Sequence, residues 1–489
     1  MKDILTPTQM RAVDENTQYN HLPTIALMEN AGAQIANYII ANYPDKKRVS
    51  IYAGVGGNGG DGFVVARHLL NHNYKVRLFF LSKPENIKNQ DTYTNWQVID
   101  VISKTDKNLK LFKITDSSQL KPDNSDIIVD AILGTGINSK LRQPVSAAVD
   151  VINYSPAIVI SVDVPSGLNP EDGSMADKQV IPHTTLTLHK MKTGLDVADT
   201  SKTGSIEVLD IGIPKASQLY TGSGDLLKIE KSKRDSHKND NGSILIVGSN
   251  PDYIGAVVFA ANAALSQHID LVYIIAPEKS AQIIKQYNPS FIVRSTPGDI
   301  LTPDAFNLIN ELVDKVDAIL LGSGAGVDMK TGELFTQIIK STQKPVVLDA
   351  DALKVVDVED ARCENITITP HVREFETFFD VKLPKDFDEK VEQVRKLSCE
   401  YDITILLKGV VDIIATNDDF KLNSTGKSGM TMGGTGDVLA GLMTALITKT
   451  PTPYDAAYIA AYLLGSAADK AKKEYGDNYQ MDDIFKFLK

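Results

Sequence analysis

Cysteine is nearly absent. Cys363 and Cys399 are the two in 489 residues, without the paired spacing of a zinc site or the density of a disulfide framework. A reducing, cytoplasmic setting is expected. Positive charge is also short, with 51 Lys and Arg against 62 Asp and Glu, a net charge of −11. Such a surface repels nucleic acid unless a basic patch is concentrated somewhere, and none occurs beyond a short linker. No apolar run approaches the roughly 20 residues of a membrane span. The N-terminus "MKDILTPTQMRAVDENTQ" lacks the apolar core of a signal peptide. Partners among nucleic acids and membranes are therefore not expected.

What is present is ordinary globular material, 43% hydrophobic and 23% charged. The length exceeds one core and predicts two domains. In the first half β-branched runs alternate with helical patterns: "RVSIYAG" (48–54), "YKVRLFFL" (74–81), "DIIVDAILGTG" (126–136) and "AIVISVDVPSGL" (157–168). That alternation indicates a parallel sheet covered on both faces. Ahead of it, "DENTQYNHLPTIALMENAGAQIANYIIANY" is helical and broken at Pro23. From about Lys215 to Asn241 the pattern lapses into polar, aperiodic sequence, read as the interdomain boundary, with domains at 1–220 and 221–489. The second half restarts with "SILIVGSN" and a small-residue helix "GAVVFAANAALS". It continues through "DLVYIIAP", "DAILLGSGAG", "KPVVLDADAL", "NITITPH" and "DITILLKGVVDIIAT" to a last helix opened by "GGTGD". The fold class is α/β, a mostly parallel array in each half.

Ligands of open parallel sheets sit outside the carboxyl ends of the strands, so residues just after each strand converge. Three such ends carry chemistry in the first half: "GGNGGDG" with Asn58 and Asp61, "VDAILGTG" with Asp130, Gly134 and Gly136, and "SVDVPSG" with Asp163 and Ser166. Glycines 56, 57, 59 and 60 let backbone amides approach a pyrophosphate at a helix start. "GVGGNG" fits the Gly-x-Gly-x-x-Gly spacing of dinucleotide loops. A Walker loop is excluded there for want of lysine, and in "STGKSG" because Lys421 stands where its first glycine belongs. Asn58, Asp130 and Ser166 offer hard oxygen donors suited to a monovalent cation, leaving Asp163 as an acid/base. Taken singly, Asp61 also reads as a helix cap and Ser166 as a turn residue.

In the second half, "GMTMGGTGD" sets glycines and a threonine before a helix with Asp437 in its first turn. Bare amides and the helix dipole make an anion hole, and the carboxylate beside it can take a proton from a hydroxyl attacking a phosphoryl group. His371 and Glu374 lie three apart without a zinc motif, pointing to substrate contact or a helix start. Lys408 follows a strand within reach of a phosphate, and "GSGAG" (322–326) is a close-approach turn. His183 and His189 show no partners in sequence and read as structural.

Together, "GGNGGDG", "VDAILGTG", "SVDVPSGL" and "DIGIP" resemble the NAD(P)H-hydrate epimerase domain. "NGSILIVGSN", "YIGA", "LDADAL", "TPHVREF", "LLKG" and "GMTMGGTGDVLAG" resemble the ribokinase-like ADP-dependent NAD(P)H-hydrate dehydratase. Their order is similar to that of the bifunctional repair family, over nearly the whole chain. The resemblance implies two three-layer α/β/α domains, Rossmann-like then ribokinase-like. It also implies epimerisation of R and S hydrates of NADH and NADPH, and dehydration of the S form with ADP, releasing AMP and phosphate. It implies substrate contacts at Gly57, Asn58, Gly59, Gly60, Asp61, Gly134, Thr135 and Gly136, with Asp163 catalytic and K+ on Asn58, Asp130 and Ser166. In the second domain it implies hydrate contacts at Gly326, His371 and Glu374, and ADP with Mg2+. Lys408, Gly429, Met430, Gly433, Gly434, Thr435 and Gly436 would hold the nucleotide, with Asp437 as base. A homo-oligomer is expected.

Two alternatives stand beside this. One is a ribokinase-type small-molecule kinase with a nucleotide-sensing first domain, which would release a phosphorylated product. The other is an inactive nucleotide-binding scaffold, which would have no need of Asp163 and Asp437.

Overall fold

The run "RVSIYA" serves two faces at once. In the computed structural model, Val49, Ile51 and Ala53 join an apolar layer with Ile35, Ile39 and Leu69, while Tyr52 joins a second layer with Ile128, Val149 and Ile152. A strand buried on both sides belongs in the middle of a three-layer α/β/α unit. The structure describes residues 3–134, 140–230, 240–417, 419–426 and 429–488. The chain divides into two compact units, residues 2–217 and 218–489.

In the first unit, helix α1 (Pro7–Tyr19) starts at a reciprocal capping box between Thr6 and Gln9, and α2 (Thr24–Asn42) starts just after Pro23. The sheet comprises β1 (Arg48–Ala53), β2 (Lys75–Phe80), β3 (Leu109–Lys113), β4 (Ile127–Ala131), β5 (Ile158–Val162), β6 (Thr184–Leu188) and β7 (Ser205–Leu209), all parallel, in the order β3-β2-β1-β4-β5-β6-β7. Strand order reverses between β1 and β4, so the loops leaving them part and open a crevice. Helix α3 (Gly57–Asn71) begins in that crevice.

The second unit runs β8 (Ser243–Val247), α4 (Ile254–Ser266), β9 (Leu271–Pro277), β10 (Phe291–Thr296), β11 (Ala318–Leu321), β12 (Val346–Leu348), β13 (Ile366–Ile368), α5 (Val372–Phe379), β14 (Thr404–Leu407), β15 (Asp412–Ala415), β16 (Phe420–Asn423), α6 (Thr435–Ile447) and α7 (Pro453–Tyr475). Its sheet order is β10-β9-β8-β11-β12-β13-β14-β15-β16, parallel through β14 and antiparallel thereafter. Residues of β8 alternate between the two layers: Ile244 and Ile246 face α4, α6 and α7, while Leu245 and Val247 face Leu334, Phe335 and Phe375.

The sequence expectation needs three corrections. Strands β3, β6 and β7 extend the first sheet beyond the four runs recognised in sequence. The helix opened by "GGTGD" is not the last, because α7 follows it. Part of the stretch read as linker is built into the second unit: Thr221 pairs with Leu422 and Asn423, Asp225 with Lys421, and Lys228 with Asp455. Residues 231–239 lie outside the described residues. Among the described residues, no helix is long and apolar enough to cross a membrane.

Helices α4 and α6 touch along small residues, and Gly441 packs directly on the backbone of Ala260. A methyl there would collide with the Ala260 carbonyl, and backbone cannot move aside cheaply. We expect Gly441→Ala to cost about 1–3 kcal/mol, lowering the melting temperature by roughly 3–10 °C. Unchanged melting would show that the two helices are not in contact there.

Candidate active sites

The first site gathers at the carboxyl ends of β1, β4 and β5. Gly56 caps α3 without a side-chain hydrogen bond, which leaves first-turn amides for a ligand. Gly57, Asn58 and Asp61 line a cavity of about 440 Å³ together with Asp14 of α1 and Asp163. Gly59 packs against the Gly54 carbonyl, and Gly60 against Met28, its N–H donating to Gly56. Asp61 is 6% exposed and does not cap its helix. Burial, with the negative charges of Asp163 and Asp14, pushes its carboxyl well above the usual range.

The proposed cation ligands meet around Leu133. Asn58 Nδ2 donates to the Leu133 and Val162 carbonyls at 3.3 and 2.8 Å, and Gly134 lies against its Oδ1. Ser166 Oγ accepts from Leu133 N at 2.9 Å and donates to Asp130 Oδ1 at 2.6 Å. Asp130 Oδ2 accepts from Ser161 Oγ and Ser166 N. Ser166 is therefore a fully buried anchor of Asp130 as well as a turn residue. Thr135 and Gly136 lie outside the described residues.

Asp163 is not a free acid. Its φ of 63° puts it in the left-handed region, at a cost of about 1 kcal/mol. Lys192, 1% exposed, forms an ion pair with its Oδ1, which also accepts from Leu188 N and Thr187 Oγ1. The remaining Lys192 donors go to Thr187 Oγ1 and the Leu188 carbonyl. Sequence reasoning missed Lys192 and Asp14. "LHKMKTG" does place a lysine just past a strand, but Asp14 carries no local signal. His183 also has a partner, accepting from Val159 N at 3.0 Å. Burial holds His189 down at about 4.

The second site lies at the start of α6, where Gly434, at φ 95°, caps the helix and Asp437 occupies its first turn. The left-handed cap favours glycine and leaves the helix amides open. Thr435 Oγ1 ties the loop together through the Met430 and Met432 carbonyls. Lys408, Met430, Thr435 and Gly436 line a cavity of about 150 Å³. Gly433 is exposed, and Gly429 packs against Tyr479. Lys408 Nζ lies 3.2 Å from Asp349 Oδ1 and 3.9 Å from Glu374 Oε2. Burial opposes the charge of Lys408, but Asp349 and Glu374 outweigh it and raise its pKa.

His371 and Glu374 form a reciprocal capping box at the start of α5, so the helix-start role is present. Gly326 N donates to Asp351 Oδ2 at 2.9 Å. Burial pushes Asp437 up to about 7, helped by Asp349 and opposed by Lys408. Asp349 and Asp351, missed in sequence, stand at the end of β12, where the strand-end rule would have found them.

A family model described as NAD(P)H-hydrate dehydratase matches residues 244–489, and one described as YjeF-related protein N-terminus matches 24–194. The bifunctional NAD(P)H-hydrate repair enzyme Nnr of Methanothermobacter thermautotrophicus is 42% identical over 487 residues, covering 98% of this chain and 94% of that protein. The chain belongs to the bifunctional NAD(P)H-hydrate repair enzymes. The Nnr of Pyrobaculum aerophilum is 36% identical, with 99% and 97% covered. Membership in this family of repair enzymes sets aside the kinase and scaffold alternatives. Among solved structures, an ADP/ATP-dependent NAD(P)H-hydrate dehydratase from Bacillus subtilis, co-crystallised with ATP/Mg2+, aligns at TM-score 0.47 and 22% identity, covering 55% of this chain and 95% of that one.

The Asp437 shift has a consequence for stability. Its pKa rises from 3.8 to about 7 on folding, so the folded state holds the proton more tightly. The resulting stabilisation is full below pH 3.8 and is lost as pH rises through 7. Asp437→Asn escapes that loss. In urea denaturation it should match the parent near pH 4 and exceed it at pH 8 by on the order of 3 kcal/mol. A gap independent of pH would contradict the shift.

Proposed function

We propose that residues 1–220 epimerise the R and S hydrates of NADH and NADPH, and that residues 221–489 dehydrate the S form with ADP, releasing AMP and phosphate. The observation that carries the dehydratase reading is Asp437, a carboxylate poised near neutral pH at a helix start whose amides are open. Hydroxide is a poor leaving group. Moving the terminal phosphoryl group of ADP onto the hydrate's hydroxyl, then expelling phosphate, lowers the barrier. Asp437 takes the hydroxyl proton as the oxygen attacks. The α6 amides and Lys408 stabilise charge on the phosphates, while Gly429, Met430, Gly433, Gly434, Thr435 and Gly436 line the nucleotide's path. Gly326, His371 and Glu374 contact the hydrate.

In the first domain Asp163 acts as acid/base, exchanging a proton with the hydroxyl or water oxygen at the hydrated carbon. Gly57, Asn58, Gly59, Gly60, Asp61, Gly134, Thr135 and Gly136 hold the dinucleotide. The oxygens of Asn58, Asp130 and Ser166 suit K+: among the described residues Asp130, 1% exposed, meets hydroxyl and amide donors but no cationic side chain. A bound K+ would supply that missing positive charge. For Mg2+ the fit is poorer, since the described residues hold no cluster of three His, Cys, Asp or Glu able to bind a metal. Such an ion would rest chiefly on the nucleotide's phosphates. The reading includes a cytoplasmic homo-oligomer, in keeping with unpaired Cys363 and Cys399.

The test supplies mixed hydrates with ADP and follows recovery of reduced-nicotinamide absorbance. Asp437→Asn should slow dehydration ~10²–10⁴-fold while R and S still interconvert. Asp163→Asn should consume the S form and leave the R form behind. Loss of both activities from either single change would overturn the division of labour.

A further inference from the structure

Epimerisation needs two proton carriers. Water adding to an enamine-like ring puts its proton on the electron-rich carbon and its hydroxyl on the carbon beside nitrogen. One route inverts that carbon by breaking its C–O bond, with the nitrogen lone pair forming an iminium, and adding a water from the opposite face. One group protonates the departing oxygen. Another takes a proton from the incoming water.

The epimerase reading, on which this inference rests, supplies only Asp163. All three donors that reach Asp163, from Lys192, Leu188 and Thr187, converge on Oδ1. Among the described residues none reaches Oδ2, which leaves that oxygen to meet a proton. We propose that Asp14 is the second proton-transferring residue of this cavity, facing the hydrated carbon from the wall that α1 provides.

Three observations support the assignment. Asp14 lines the same cavity as Asn58, Asp61 and Asp163, but reaches it from a different element. Its carboxyl receives no hydrogen bond among the described residues, so its proton is not committed elsewhere. Between these walls Asp61, 6% exposed, also lacks a hydrogen-bond partner among the described residues. A buried polar group left unpaired at a cavity wall marks the place of a polar ligand.

The charged groups around Asp14 are Lys192, Asp163, Asp61 and Glu15, with Arg11 and Asp91 on the same cavity wall. Burial, with Asp163 and Glu15 assisting and Lys192 opposing, pushes Asp14 up to about 7. Near neutral pH it therefore exists in both forms, as a residue that alternately gives and takes a proton must.

The step balances. Protonated Asp14 gives its proton to the hydroxyl oxygen, the C–O bond breaks and water departs. Water then adds to the iminium from the other face, and its proton passes to Asp163 Oδ2. No electron is gained or lost, and the reverse direction exchanges the roles of the two carboxyls.

The experiment starts from purified R hydrate with ADP, so that reduced nicotinamide appears only after epimerisation, and uses S hydrate as the internal control. Asp14→Asn is expected to slow turnover of the R form ~10²-fold or more and leave the S form unaffected. Asp14→Glu should recover part of the loss. The parent's rate from the R form should show a limb near pH 7, absent from Asp14→Asn. Parent-like rate and pH profile in Asp14→Asn would overturn the proposal while leaving Asp163 in place. A lowered melting temperature with loss of turnover from both hydrates would mark a structural residue and overturn it too. Failure of the parent itself to convert R hydrate faster than the unaided reaction would instead overturn the epimerase reading.

Discussion

An ion pair between a lysine and a buried aspartate fixes each of the two sites. Lys192 and Asp163 form the pair in the first unit, Lys408 and Asp349 that in the second. Removing one partner of such a pair strands a charge in a low-dielectric interior, at about 3–5 kcal/mol. The pairs therefore lock the strand-end loops in place. Beside each stands a second carboxyl, Asp14 or Asp437, that burial pushes up to about 7. One charge is tied down so that a neighbouring group can titrate where the chemistry needs it.

This arrangement follows from the sheets. A parallel strand covered on both faces can present side chains to a ligand only at its carboxyl end, where the backbone turns outward. Asp130, Asp163, Asp349 and Lys408 all occupy such positions. The glycines after β1 and before α6 leave amides bare beside them, which suits the phosphates of a dinucleotide and of ADP. The acidic loop "GGNGGDG" is consistent with this division. Its first-turn amides are left open for a phosphate, whereas Asp61 lines the cavity and does not cap the helix.

Much of this was legible in sequence where the signal is local. Apolar runs gave the central strands, Pro23 the break between α1 and α2, and glycine clusters the two loops. The edge strands "LKLFK" and "SIEVL" were missed because they are half exposed to solvent, and "TTLTL", although buried between its neighbours, because threonines interrupt its apolar character. The stretch from Lys215 reads as linker because its partners, Lys421 and Asp455, lie some 200 residues away, and long-range ion pairs leave no periodicity. For the same reason Lys192 and Asp14 escaped notice. Each is an ordinary charged residue until the fold sets it against Asp163. Of the two roles open for His371 and Glu374 in sequence, substrate contact or a helix start, the second was legible because a capping box is written within four residues.

The most direct measurement is a carbon-13 NMR titration of aspartate side-chain carboxyls in the ligand-free protein, with resonances assigned by substitution. The account predicts that the signals of Asp14 and Asp437 move with midpoints near 7. Midpoints near 4 for both, the ordinary range of a solvated aspartate, would contradict it.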